Sequence, residues 1–406
     1  MWCLCLSRNE RLYCFFGIAE SVVLLFTSGG VVQTFFSFVG FSVKQIGIYL
    51  TMVNVVQVLV MLFGVFWADH INKVKSLLAW FSLSPIFMCV ALLALCFFSG
   101  FNLKLAFFMV LAVSAANNMF VGLKGMISYR LPYYIMNIEN YEKVENIKGI
   151  IGGIISIGIV LIISAVANQL PYNVPMCGGL ALSIVLCAGS CYATFTMKFT
   201  GKSQPVSKFK FKFKSLVKRE FTFFYLPNLA RGLASGLFGM MTVVYLHDIS
   251  DNSAAASLVT VVVSLSAVFG SVIYRAIGNK IKTKSVYLLA SALLTIMLPA
   301  TVLLKNPVVF FIAFSFCGMG YGIIAVSASV YAMEIVDSMY IGSFSAMRLI
   351  MIAIGQAIGS YLVGAMLGNT ATVLILSLFG MCQLLSGILY YAYPVITKKQ
   401  KCDNNC

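Results

Sequence analysis

Three charged side chains stand inside stretches that are otherwise apolar: Glu20 in the run 12–36, Arg231 in 222–246 and Arg348 in 339–366. A carboxylate in such a setting can carry a proton or pair with a cation, and a guanidinium can hold a carboxylate or anchor an anionic solute. A charge at the centre of a bilayer costs about 2.5–3.5 kcal/mol on insertion scales, so it is kept where a partner or a watery cavity offsets that cost. Glu20 and Arg231 fall at similar depths and at corresponding points of a weak internal repeat, in which Ile18-Ala19-Glu20 aligns with Leu229-Ala230-Arg231. They are therefore expected to act as a proton site, a substrate anchor or both, with a buried structural pair as the alternative. Arg348 joins them as a third candidate.

Neutral polar residues extend the set. Thr51, Asn54 and Gln57 lie on one helical stripe that should not face lipid. Asn117, Asn118, Asn228, Tyr321 and Gln356 are further cavity-lining candidates, hydrogen bonding between helices being the other use of such groups. No metal or cofactor is expected. The two histidines, His70 and His247, are far apart, no His-Glu-x-x-His occurs, and most of the twelve cysteines sit in apolar runs as small hydrophobes. Gly201-Lys202-Ser203 mimics the end of a phosphate-binding loop, but Thr196 stands where its first glycine belongs.

The elements that must position these groups follow from composition. Hydrophobic residues make up 61% of the 406 and charged ones 10%, with a mean hydropathy of +0.96. Soluble domains hold roughly 25% charged residues, so this chain lacks the charged skin of a soluble enzyme. Long unbroken apolar runs call for membrane-spanning helices and not a barrel. Twelve spans are expected: 12–36, 45–67, 76–99, 105–127, 147–167 and 174–197, then 222–246, 254–276, 284–304, 307–333, 339–366 and 371–394. The first is expected to be retained and not cleaved as a signal peptide. The polar stretch 198–220 separates two six-helix halves, 1–197 and 221–406. It carries the alternating run Lys208–Lys214, readable as a short strand, an interfacial segment or a docking site for a partner.

Of the 28 Lys and Arg residues, 23 fall in loops on the side of the amino terminus, counting Lys124, Lys143 and Lys148, and three on the opposite side. That asymmetry places both termini in the cytoplasm. It also assigns the net charge of +16 to anionic lipid headgroups and not to nucleic acid.

The second span opens with Ser42-Val43-Lys44-Gln45-Ile46-Gly47 and closes with Gly64–Ala68 followed by Asp69-His70-Ile71-Asn72-Lys73-Val74-Lys75. These residues resemble the second helix and following loop of the major facilitator superfamily. Ala68, Asp69 and Lys73 match its loop pattern, whereas His70 replaces a usual Arg or Lys and Asn72 a usual Gly. The segment around Tyr129–Tyr134 and Tyr141–Gly149 is similar to that of bacterial members. The resemblance implies an all-α, major-facilitator-like fold of two pseudo-symmetric halves. It further implies a monomer in a bacterial cytoplasmic membrane that moves a small solute, with protons as a possible coupling ion. Asp69, His70 and Lys73 would form its cytoplasmic gate, and the first and seventh helices would line its central cavity. The fifth span has Gly152-Gly153 but no Pro, so the antiporter signature of the family is absent. A non-transporting receptor or scaffold on the same fold is the alternative, and an enzyme is not expected.

Overall fold

The computed structural model describes residues 6–64, 71, 73–97, 102–128, 130–136, 140–199, 219–246, 253–277, 281–303, 306–335, 341–366 and 371–403. All regular structure in them is helical. A reciprocal cap starts α1 (Arg8–Thr27): the Ser7 hydroxyl accepts from the Glu10 N–H at 3.3 Å, and the Glu10 carboxylate accepts from the Ser7 N–H at 2.7 Å. The first expected span is broken. A Cβ at Gly29 would lie 2.9 Å from the Leu25 backbone, and the chain restarts there as α2 (Gly30–Val39). That helix ends on Gly40 at φ 101°, a left-handed cap that favours glycine.

Next come α3 (Val43–Gly64), α4 (Val74–Phe81), α5 (Pro85–Phe97), α6 (Leu103–Ser128), the short α7 (Leu131–Ile135), α8 (Tyr141–Ala167) and α9 (Asn173–Thr196). Beyond residues 200–218 lie α10 (Arg219–Gly239), α11 (Met241–Val244), α12 (Ser253–Ile277), α13 (Thr283–Leu303), α14 (Pro307–Ile335), α15 (Ile341–Met366) and α16 (Ala371–Asp403). Helix α10 begins at Arg219, inside the stretch expected to be linker, and continues through Pro227. The Pro227 carbonyl accepts from the Ser386 hydroxyl of α16 at 2.8 Å, which anchors the interrupted turn to a neighbour.

Eight of the described helical stretches are long and apolar enough to cross a bilayer, among them 8–39, 74–97 and 143–167. Their outer faces carry large bare apolar side chains such as Phe63, Phe97 and Tyr192, each at least 70% exposed. A surface of that kind belongs in lipid. The chain is an integral membrane helix bundle.

Helices before the 200–218 stretch pack mainly on one another, as α1 does on α8 and α9 and α3 does on α6. Those after it do likewise: α10 on α15 and α16, and α14 on α12 and α13. The two most extensive crossings between the sets are α3 on α15 and α8 on α12. Small residues make the contacts close. Gly232 and Gly236 of α10 meet Gly355 and Gly359 of α15, two four-residue glycine spacings laid against each other. Gly318 and Gly322 seat α14 on α12: Gly318 meets Ser266 and Val263, and Gly322 meets the Ala267 carbonyl.

Candidate functional site

Glu20 does have an ionic partner, but it is not Arg231. Lys124 Nζ, on α6, lies 3.3 Å from Glu20 Oε1. Sequence position assigned Lys124 to a headgroup-facing loop. It is instead inside α6 and buried, at 5% exposure, with its ammonium 5.0 Å from the ring centre of Phe16. Glu20 is the wetter partner, with a third of its side chain exposed. The pair borders a cavity of about 30 Å³ walled also by Thr27, Ser82, Asn117, Asn118 and Ser190. That is room for one or two waters and too small for a solute. Asn117 Oδ1 is buried there with no protein partner, which suits a water donor. Asn118 is tied down: it donates to the Ser114 carbonyl at 2.8 Å and accepts from Gln57 of α3 at 2.9 Å.

Arg231 and Arg348 lie together in the other set of helices, within electrostatic reach of Tyr287 on α13 and Tyr390 on α16. Arg348 is 2% exposed and donates to the Ala328 carbonyl of α14 at 3.2 Å. Arg231 is half-buried, its Nε has no partner, and it joins no ion pair among the described residues. The surrounding polar groups bond among themselves. Tyr390 donates to Asn228 Oδ1 at 3.1 Å, and Gln383 donates to Ser291 at 3.1 Å. Among the described residues, then, Glu20 pairs with Lys124 and the repeat-related charges form no ion pair with each other.

The large cavity lies elsewhere. It has a volume of about 340 Å³ and is walled by α1 and α8 on one side and by α12 and α14 on the other. Ser21 reaches it from α1, next in sequence to Glu20, which faces the small cavity. Helix α8 contributes Glu145, Lys148 and Ser156. Ser264, Ser271 and Tyr321 line the opposite wall. Tyr321 stacks face to face on Phe238 of α10, with ring centres 4.9 Å apart and planes 8° apart.

Glu145 and Lys148 are the two charged groups of that lining among the described residues, and they are paired at 2.6 Å. Tyr13 of α1 donates to Glu145 at 2.7 Å, and the Lys148 ammonium stands 5.1 Å from the Tyr13 ring centre. The stem of Lys148 lies across Gly17, where any Cβ would collide with it. Sequence counting placed Lys148 in a loop. It belongs to α8, a helix that starts at Tyr141, six residues before the expected span. The signal for this site was present as two helical faces, Tyr13-Gly17-Ser21 and Glu145-Lys148-Gly152-Ser156, each repeating at three or four residues.

Of the expected cavity residues, Tyr321 lines the large cavity and Asn117 and Asn118 the small one. Asn54, Gln57, Asn228 and Gln356 line neither. Asn54 bonds back to the Leu50 carbonyl at 2.8 Å, and the Gln356 backbone is the seat for Gly236. Asp69 and His70 lie outside the described residues, while Lys73 is the exposed cap of α4.

At the opposite end of the bundle from Glu145 the two sets of helices are closed against each other. Gln33 of α2 donates to the Gly239 carbonyl at 2.6 Å, and a Cβ on Gly47 of α3 would lie 2.8 Å from the Cα of Gly364 on α15. Thr51 adds a 3.4 Å contact to the Ala357 carbonyl one turn deeper.

No protein-family model matches the sequence, and no curated protein does. Solved structures do match the arrangement just described. A mutant form of the nucleoside transporter NupG superposes with a TM-score of 0.67 at 17% identity, covering 95% of this chain and 99% of that one. A bacterial homologue of the iron transporter ferroportin, in its outward-facing state, superposes with a TM-score of 0.69 at 9% identity, over 96% of this chain and 98% of that one. A bacterial ferroportin homologue in the outward-facing state with soaked iron gives a TM-score of 0.70 at 10% identity, over 95% of this chain and 98% of that one. The likeness shows that this chain shares the fold of these transporters. The cavity between α1/α8 and α12/α14 touches both sets of helices.

Proposed function

We propose that this protein is a secondary transporter that carries a small solute across a membrane by alternating access. The observation that carries the proposal is the 340 Å³ cavity shared by helices from both sides of the 200–218 stretch, with the bundle shut at its far end by Gly47 on Gly364. A cavity of that size is in the range of small-molecule sites. Release on the far side requires α3 and α15 to part there while α8 and α12 close on the near side. Closely packed glycine surfaces suit such rocking because they break and re-form as a unit.

In this reading the chain forms two six-helix units, 1–197 and 221–406, joined by the basic stretch 198–220, as twelve spans with both termini cytoplasmic. The membrane is a bacterial cytoplasmic membrane and the protein works as a monomer, its basic loops against anionic lipid. Removing Lys124 and Lys148 from the loop count leaves the charge asymmetry that supports this orientation. Single cysteines at Asn102 should therefore label from outside intact cells, and those at Ser203 should not. External labelling at Ser203 would reverse the orientation.

Glu20 is the proton carrier of the proposal, with Lys124 as its partner. Neutralising Glu20 leaves a buried ammonium without its counter-charge, so a bound proton favours whichever arrangement lets Lys124 reach water or another acceptor. Arg231 and Arg348 supply fixed positive charge to the second unit, and Asp69, His70 and Lys73 the cytoplasmic gate.

The test is flux in proteoliposomes of the purified chain, with and without a pH gradient. Nucleosides and iron come first, as the cargoes for which the structural neighbours are named. Saturable uptake above empty liposomes is expected. Tight solute binding with no flux in either direction would instead mark a receptor on this fold.

A further inference from the structure

We propose that the large cavity selects an uncharged ring compound bearing several hydroxyl groups, the chemistry shared by a monosaccharide and a nucleoside. The inference rests on the transport reading for its purpose but not for its geometry. The charges of the wall cancel in place: Lys148 holds both oxygens of Glu145, at 2.7 and 2.6 Å, and Tyr13 donates to the same carboxylate. An anion approaching Lys148 meets the Glu145 carboxylate beside it, and a cation approaching Glu145 meets the ammonium, so either ion is repelled by one member of the pair. A neutral solute meets no such repulsion.

The hydroxyls of the wall specify more. Ser21 donates to the Gly17 carbonyl and Ser271 to the Ala267 carbonyl, each at 3.0 Å, so both present acceptor lone pairs to the cavity. Acceptors on two facing helices call for a solute with O–H or N–H donors on opposite edges. Tyr321, with one face covered by Phe238, adds an aromatic surface against which a ring can lie. The lysine seat is specific too, because Gly17 is what allows the Lys148 stem to lie flat and keep the pair out of the solute's way.

The experiment measures the thermal stability of the purified full chain with D-glucose and uridine, each beside its own phosphate monoester. At least one uncharged parent should raise the melting temperature at millimolar concentration, and its monoester should bind about tenfold more weakly or worse. Which parent binds decides between the two sources. Ser21→Val and Ser271→Val should each weaken binding by about fivefold, one lost hydrogen bond. Glu145→Gln should shrink or reverse the preference against the monoester, since it uncovers Lys148. A simple packing role for Glu145 would not move that ratio.

A monoester that binds as well as its parent in the wild-type chain overturns the inference. So does the absence of stabilisation by either parent, or unchanged affinity in both serine variants. Binding without flux would remove the transport reading and leave this one standing. Flux of the monoester in preference to its parent would do the reverse.

Discussion

Gly47→Leu and Gly364→Leu should each cut solute flux by tenfold or more while leaving membrane insertion and yield near those of the parent. A Cβ at Gly47 meets backbone, not a flexible side-chain end: it would stand 2.8 Å from the Cα of Gly364 and 3.3 Å from the Ser360 carbonyl. Nothing there can rotate away, so α3 and α15 must part. Overpacking of this kind costs about 1–3 kcal/mol. Placed on one state of a two-state carrier, that is about a 5–150-fold shift in population. The far end should then stand open, and a cysteine at Thr51, now 3.4 Å from the Ala357 carbonyl, should label faster from that side. Gly158→Leu is the matched control, because its Cβ would meet nothing within 4 Å. If Gly47→Leu matches Gly158→Leu in both flux and Thr51 labelling, the glycine crossing is not a gate.

What could be read from the sequence and what could not divide along a physical line. The helical class and the position of most helices follow from hydropathy, which acts locally. The place of Glu20 and Arg231 along their helices is likewise a matter of counting residues at 1.5 Å rise. Direction is not. Which way Glu20 points depends on the rotation of α1 in the bundle, and that is set by packing on α8 and α9. Lys124 shows the same limit from the other side. Charge counting treats a lysine near a helix end as facing headgroups, yet Lys124 is held inside by Glu20 from another helix. Lys148 misled for a local reason. Lys143, Glu145 and Lys148 lower the hydropathy of the first turns of α8, so a hydropathy reading starts the helix late and gives its charged face to a loop.

Glu20→Gln should abolish pH-driven uptake, leave solute exchange largely intact and lower stability more than Lys124→Met does. The asymmetry follows from burial. Glu20→Gln strands an ammonium at 5% exposure beside a neutral amide, whereas Lys124→Met strands a carboxylate that is a third exposed and borders a cavity with room for water. Breaking a buried pair costs about 3–5 kcal/mol, and the wetter setting of Glu20 puts this one near the low end. The double variant Glu20→Gln with Lys124→Met removes both charges, so it should recover most of the stability and none of the proton coupling. That separation is what a structural pair lacks: a purely structural role would restore uptake along with the fold. A second cycle pits Glu20 against Arg231. Sites with no shared partners add within about 0.3–0.5 kcal/mol, so Glu20→Gln with Arg231→Gln should be additive in stability while Glu20 with Lys124 is not. A larger coupling to Arg231 than to Lys124 would return the pair to the arrangement suggested by depth alone. Full pH-driven uptake in Glu20→Gln would end the proton role and leave Glu20 and Lys124 as a brace between α1 and α6.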